Sequence, residues 1–410
     1  MNVSNPTNST WRTPFVMLML MSAAMQLSFA SWWTLLNNFA VNEVGFTGRE
    51  IGIQQSIREI PGFLAFTAIF LLLLVREQTF ALLALLTLGV GVAITGFMPS
   101  VWGLYFTTII MSIGFHYYET ANQSLALQWL PKDKAPAMMG RILSVAAFAQ
   151  LIAYGIIFIT WKTFHLSFEM VFGIAGILTI VMVGFLWLTF PHFEAPHPQR
   201  KQLVLRKRYS LYYALTFMGG ARRQIFTVFA GFMMVEKFGY QVHEVSALFL
   251  INCLFNMFFA PQIGKFIGRF GERRMLTVEY VGLILVFTAY AFVNNPWAAA
   301  ALYVIDHGFF AMSIAMKTYF QKIADPGDMA PTAGVAFTIN HIAAVFIPAL
   351  FGLIWLVSPS AVFFLGAGMA GISLVLARLV PRDPAEGREW IGKITKAPMA
   401  GESAAKQPAE

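Results

Sequence analysis

Apolar runs of about 20 residues, the length an α-helix needs to cross a hydrocarbon core, alternate along this chain with short polar segments. Within lipid a backbone has to satisfy its own hydrogen bonds, so runs of this kind fold as helices or not at all. They predict helices at 14–41, 50–75, 79–97, 101–128, 137–160, 167–190, 210–236, 244–267, 274–293, 297–322, 331–357 and 360–380. That makes twelve. Composition leaves no other solvent: 58% of the 410 residues are hydrophobic and only 12% charged, more apolar surface than a soluble chain of this length could bury. The expected fold class is an all-α integral membrane protein of twelve transmembrane helices. The first run is longer than a secretory signal and lacks a small-residue cleavage site, so it reads as a retained helix.

The polar segments sort by charge. Arg12, Arg76, Lys132, Lys134, Arg141, the basic residues between 200 and 208, those between 265 and 274, and Lys322 fall on one side. Arg49, Lys162 and Lys237 fall on the other. By the positive-inside rule the first side is the cytoplasm, and both termini lie there. A net charge of +8 would suit a nucleic-acid partner, but cations confined to alternate loops mark orientation instead, and nucleic acid is excluded. The lone Cys253 sits in an apolar run, which rules out a disulfide framework or thiolate metal site and leaves a packing role.

The chain also repeats itself. VNEVGFTGREIG from Val41 aligns with VEKFGYQVHEVS from Val235, pairing Gly45 with Gly239 and Glu50 with Glu244; PKDKAP from Pro131 aligns with PGDMAP from Pro326 in nearly the same register. The domain reading is therefore a six-helix half at 1–190, a cytoplasmic linker at 191–209, a second six-helix half at 210–380, and a tail at 381–410. The tail is polar and expected to be disordered, save an interfacial turn at Trp390 and Ile391.

Between two of the runs lies GKFIGRFGERR, Gly264 to Arg274, a basic loop whose Gly268 and Gly271 suit a tight helix-to-helix turn. It resembles the loop signature of the major facilitator superfamily of secondary transporters. Gly264, Arg269, Gly271, Arg273 and Arg274 fit that signature; Gly268 stands at its Asp position and Glu272 at a basic one. The resemblance covers residues 11 to 380. It implies a bacterial-type transporter in the cytoplasmic membrane, two halves rocking about a central solute site, no cofactor, a monomer, and partners limited to a small solute, H⁺ and lipid. It also implies that the first, fourth, seventh and tenth helices line the cavity, and that Gly264, Arg269, Gly271 and Arg273 act in conformational change.

Ionisable residues in mid-membrane are costly, so each is a candidate for function. Ser112, His116, Glu119 and Gln123 share one face of the fourth helix; Asp306 and Lys317 share one face of the tenth, with His307 beside them. The seventh helix carries Arg222 and Arg223, whose forked guanidinium suits a carboxylate or phosphate. Neighbouring residues diverge by about 100° on a helix, so at most one of the two faces a cavity squarely. Asn340 and His341 lie mid-way along the eleventh helix. On the second, Arg58 and Glu59 suit gating or structural pairing. The tryptophans of the first helix, Trp32 and Trp33, suit the aromatic belt.

The resulting expectation is a secondary transporter of a small anionic solute. Arg222, Arg223, His116, Lys317 and Asn340 are candidates for the solute, and Glu119, Asp306, His307 and His341 for coupled protons. The polar stripes also read as an ion-pair network holding the halves together. Two alternatives stay open: a multidrug/proton antiporter, and a non-transporting sensor or scaffold of similar fold. No Walker loop, metal-ligand spacing or nucleophile elbow points to an enzyme. The charge asymmetry yields a test. Cysteines placed at Ser210 or Ser403 in a Cys253→Ser background should resist an impermeant thiol reagent on intact cells, and ready labelling of either would overturn the orientation.

Overall fold

The computed structural model describes residues 11–67, 71, 74–130, 135–164, 166–193, 205–325 and 328–391. The first PKDKAP segment up to Lys134, Arg200 and Lys201 of the linker, and the tail beyond 391 lie outside them. Regular structure among the described residues is helical, apart from one isolated bridge between Ala385 and Arg388. The rods are α1 (Pro14–Asn38, extended by a π-helical turn Phe39–Val44), α2 (Gly48–Phe63, closing in a 3₁₀ turn Leu64–Thr67), α3 (Glu77–Thr95), α4 (Val101–Trp129), α5 (Ala135–Phe164) and α6 (Phe168–Thr189). Beyond the linker come α7 (Ser210–Gln224, then a π-helical turn Ile225–Ala230 and Gly231–Glu236), α8 (Val242–Phe270), α9 (Glu272–Phe292), α10 (Pro296–Phe310, a 3₁₀ turn Ala311–Ser313, then Ile314–Ile323), α11 (Met329–Val357) and α12 (Pro359–Leu379).

Nine helices among the described residues are long and apolar enough to cross a membrane. The rods outside that set are α2, α4 and α7. They are the ones that carry Arg58 and Glu59, His116 and Glu119, and Arg222 and Arg223: the polar side chains that lower their hydropathy are the candidate site.

Local chemistry starts the rods where the sequence places them. Thr13, Ser100, Ser167 and Ser358 each accept an N–H from the first turn of their helix, and Pro14 and Pro359 occupy the first turn, where a missing N–H costs nothing. The repeated segment forms the same device twice. Gly45 and Gly239 sit at φ 76° and 68°, in the left-handed region that glycine enters freely. Phe46 N–H then reaches back to Ala40 O at 2.8 Å and Tyr240 N–H to Met234 O at 3.0 Å. Glu50 accepts from Thr47 N–H at 3.0 Å and Glu244 from Gln241 N–H at 2.8 Å, closing a capping box on α2 and on α8. In the basic loop the expectation needs correction: Gly268 is helical, and Gly271 alone, at φ 81°, makes the turn from α8 to α9. Glu272 is buried there and pairs with Lys322 of α10 at 2.7 Å.

The rods before the linker pack on one another, α3 against α4 and α6, and α1 against α5 and α6. Ser28 Oγ and Thr179 Oγ1, 2.8 Å apart, tie α1 to α6. After the linker α9 packs on α12, and α7 on α11 and α12. The two parts meet where α2 lies along α11 and α5 along α8. Small residues bring α2 and α11 close, as they do between helices in lipid: a Cβ on Gly52 would fall 3.0 Å from Gly352 Cα, and Ser56 Oγ accepts Ala349 N–H at 3.0 Å. Near the same end Asn38 Nδ2 donates to Tyr240 O at 2.7 Å.

At the opposite end, Arg206 donates to Asp328 Oδ1 at 2.8 Å, Tyr209 to Asp328 Oδ2 at 3.0 Å, and Arg208 meets Asp325 at 2.6 Å. The stretch from Pro381 to Ile391, read as the start of a disordered tail, is folded. Tyr319 donates to Glu389 O at 2.5 Å, Ile391 N–H to Leu379 O at 2.8 Å, and Trp390 and Ile391 sit exposed at its end. Buried hydrogen bonds at a helix end outweigh the polar composition that suggested disorder.

One close backbone approach within the N-terminal part is testable. A Cβ on Gly114 of α4 would lie 2.6 Å from Ala84 O and Leu88 Cα of α3, whereas nothing lies within 4 Å of one on Gly155. Gly114→Val should cost about 1–3 kcal/mol by overpacking and lower the melting temperature in detergent, with Gly155→Ala unchanged.

Candidate functional site

A cavity of about 890 Å³ lies between the two parts, walled by α1, α2, α4, α5, α7, α8, α10 and α11. Its walls are largely aromatic. Phe29 stacks on Phe115 with ring centres 4.4 Å apart, Tyr154 meets Phe249 at 5.3 Å, and Trp33, Phe148, Phe226, Tyr303 and Phe337 complete them. Trp33, assigned by sequence to the aromatic belt, lines this cavity, and Trp32 is fully buried beside it. Cys253, read as a packing residue, also lines it.

At one wall a buried ionic cluster joins four helices. Glu59 of α2, 2% exposed, is bound by its neighbour Arg58, which also donates to Gln55 Oε1 at 2.8 Å and lies 4.8 Å over the Trp33 ring. From α7 Arg223 Nη2 approaches Glu59 Oε2 to 3.8 Å, and from α11 His341 Nε2 approaches it to 3.5 Å. His116 of α4 faces His341 edge-on, ring centres 5.4 Å apart. Each imidazole sets its Nδ1 against the carbonyl one turn back, His116 against Ser112 O at 3.0 Å and His341 against Phe337 O at 2.8 Å. A carbonyl only accepts, so Nδ1 carries hydrogen and a neutral ring presents the Nε2 lone pair toward Glu59. The ligand atoms of Glu59, His116 and His341 lie within 4.8 Å of one another, donors of a type and number that hold a divalent metal. Two guanidiniums against one carboxylate, however, already leave the cluster positive.

Other candidates are spread more widely. Glu119 opens into the cavity one turn beyond His116. His307 lines the far wall and meets Asn256 Nδ2 through Nε2 at 2.7 Å. Arg222 turns away from the cavity. Its Nη2 donates to Glu279 Oε1 of α9 at 3.0 Å, and its guanidinium lies 4.5 Å over the Tyr280 ring. Asp306 is buried behind the wall, 3% exposed. Lys317 is exposed, and Asn340 Nδ2 donates weakly to Thr216 O at 3.4 Å, joining α11 to α7; neither lines the cavity. Gly264 and Arg269 lie in the last turns of α8, Gly271 at the turn and Arg273 at the start of α9, and none of them lines the cavity.

Sequence reasoning missed Glu279. The signal was available, since a carboxylate seven residues into an apolar helix is as costly as Asp306, but its place near the start of the run disguised it as an interfacial residue.

These features have counterparts among known proteins. The family model described as Major Facilitator Superfamily matches residues 15–348. An uncharacterised MFS-type transporter of Methanocaldococcus jannaschii is 21% identical over 372 residues, covering 82% of this chain and 87% of that one. Among solved structures, a mutant of the nucleoside transporter NupG superposes with a TM-score of 0.74 at 16% identity, covering 89% of this chain and 99% of that one. A bacterial homologue of the human lysosomal transporter Spinster, in an inward-facing and occupied conformation, gives 0.65 at 14% identity, covering 88% and 94%. With a bundle of membrane-spanning helices around a central cavity and a family match over most of its length, the chain belongs to the Major Facilitator Superfamily and is a multi-pass membrane transporter.

Proposed function

We propose that this transporter moves an amphipathic organic anion, coupled to protons, by alternating access between two six-helix halves, all twelve rods crossing a bacterial cytoplasmic membrane with both termini inside. The observation that carries this reading is the Arg223 guanidinium, which faces an aromatic cavity and whose charge partner among the described residues is Glu59 at the loose distance of 3.8 Å. Arg58, Arg223 and Glu59 sum to one positive charge with both histidines neutral. Such a site repels a divalent cation and favours an anion, so we assign Glu59, His116 and His341 to anion and proton handling rather than to a metal. Aromatic walls and a volume of about 890 Å³ suit a solute with a ring system beside its charged group. The same walls favour a drug-like solute, the second reading.

The conformation reads as inward-facing. Close contact of α2 with α11 seals the end that carries the cation-poor loops, the end that the charge asymmetry places outside. Glu59 then acts as an internal stand-in for the solute: it occupies Arg223 when the cavity is empty and yields it when an anion arrives. Glu119, in the cavity, and Asp306, behind it, are the acids able to carry the coupled proton.

A thermal-shift panel of aromatic carboxylates and phosphates identifies the class, because a ligand at 100 times its dissociation constant adds about 2.7 kcal/mol. Arg223→Lys keeps charge but loses the fork, and should abolish that shift and uptake into proteoliposomes while expression survives. Arg222→Ala should instead lower the melting temperature, since an unpaired buried Glu279 costs about 3–5 kcal/mol. If Arg223→Ala binds and transports the panel's ligand as wild type does, the anion site is elsewhere.

The acids separate by a second measurement. Glu119→Gln and Asp306→Asn should each be assayed for uphill uptake and for solute exchange. The proton carrier is the one whose loss abolishes accumulation and spares exchange; accumulation by both variants would exclude both acids.

A further inference from the structure

Behind the cavity, three helices bury more acid than they neutralise. Arg222 of α7, Glu279 of α9 and Asp306 of α10 are all within the C-terminal part and all closed to solvent, with Glu279 2% and Asp306 3% exposed. Arg222 satisfies one oxygen of Glu279 at 3.0 Å. Glu279 Oε2, Asp306 Oδ2, Arg222 Nη1 and the Tyr290 hydroxyl are buried without a hydrogen-bond partner among the described residues. The charged and titratable groups facing the acids are Arg222 from α7, Tyr280 and Tyr290 from α9, and Tyr303 from α10, with His307 next to Asp306 in sequence. One guanidinium among them balances one carboxylate. A second carboxylate in a low-dielectric interior requires its own counter-charge or a proton, and no second cation is present among these groups.

We propose that Arg222, Glu279 and Asp306 form a proton-binding site in the wall behind the cavity, with one proton resident on Asp306 while Arg222 is paired with Glu279. The site is an exchange: when Arg222 moves to Asp306, the proton on Asp306 passes to Glu279, so that one ionised and one protonated carboxyl face the guanidinium and charge balances in either arrangement. Tyr303, one turn before Asp306, lies both in electrostatic reach of it and on the cavity surface, which gives the proton a short way out.

The placement also explains the adjacent arginines. Arg223 faces the solute cavity and Arg222 the acid pair, about 100° apart on one helix. Directly after them the π-helical turn Ile225–Ala230 widens α7, an irregularity found often at functional sites. A rotation of the short segment before it moves both guanidiniums together, so occupancy of one site is felt at the other. This rests on the reading of the chain as proton-coupled and narrows the proton carrier to Asp306, with Glu279 as its exchange partner.

The test is infrared difference spectroscopy on the purified full chain in lipid without added solute, following the carbonyl stretch of protonated carboxyls and its shift in D₂O. Wild type minus Asp306→Asn should isolate one buried protonated carboxyl at neutral pH. Asn mimics the neutral acid, so this variant should melt as wild type does. Glu279→Gln frees Arg222 to pair with Asp306, and should erase the same band with Asp306 still in place, which a purely structural Asp306 would not do. An unchanged protonated-carboxyl region in Asp306→Asn overturns the proposal. So does a large fall in its melting temperature, which would mark Asp306 as an ionised partner that Arg222 needs. Arg223→Lys should leave the band intact while abolishing the anion-induced thermal shift, so failure of the anion site and failure of the proton site read out separately.

Discussion

Glu59 is the point on which the two parts of this protein converge. A carboxylate 2% exposed in the middle of a membrane bundle has to be neutralised by its neighbours, because its own solvation is gone. Arg58 supplies that from the same helix and Arg223 from α7 across the junction, with the neutral His341 of α11 packed beside them. The demand for charge compensation thus joins segments that the linker separates. Where α2 lies against α11, the backbones come close enough for only hydrogen to fit at Gly52. An electrostatic tie in the middle and a steric one at the end hold the parts together along one line, leaving the cavity beside them.

An electrostatic tie of this kind is reversible in a way that an apolar seam is not. Arg223 sits 3.8 Å from Glu59, beyond a hydrogen bond, so an incoming anion competes for a contact that is already stretched. Apolar contact between α2 and α11 would gain nothing from a solute; the ionic contact is exchanged for another of the same type. On the proposed reading, binding loosens the junction by substitution.

Much of the fold was legible in the sequence, for a physical reason: in lipid, helix position is a matter of apolar length, and the ends fall on Ser, Thr, Pro and Gly residues whose capping roles are local. The duplicated turn at Gly45 and Gly239 could be aligned by eye because the left-handed φ leaves little choice of residue. The site was legible only in part. That Arg222 and Arg223 diverge follows from helix geometry, but which of them meets the cavity depends on the rotation of α7 against α9, and that is set by contacts distant in sequence. Trp33 was placed in the aromatic belt and Glu279 went unassigned because a tryptophan near a helix end and a glutamate near a helix start each have an interfacial explanation. The π-helical turn after Arg223 and the 3₁₀ turn in α10 left no compositional mark.

The rods that are too polar to score as membrane-crossing, α2, α4 and α7, supply three of the four helices of the ionic cluster, α11 with His341 being the fourth. This is a consequence of confinement. A transporter's polar groups have nowhere to go but the helices that border its cavity, and each one placed there subtracts from the apolar driving force that inserts that helix. The deficit is made good by pairing: Arg58 with Glu59, Arg222 with Glu279, His116 and His341 with the carbonyls one turn behind them. On the proposed reading, helices that depend on partners for their place in the bilayer are also those whose place changes when a partner is exchanged for a proton or a solute. Function and marginal insertion are, in these rods, one property seen from two sides.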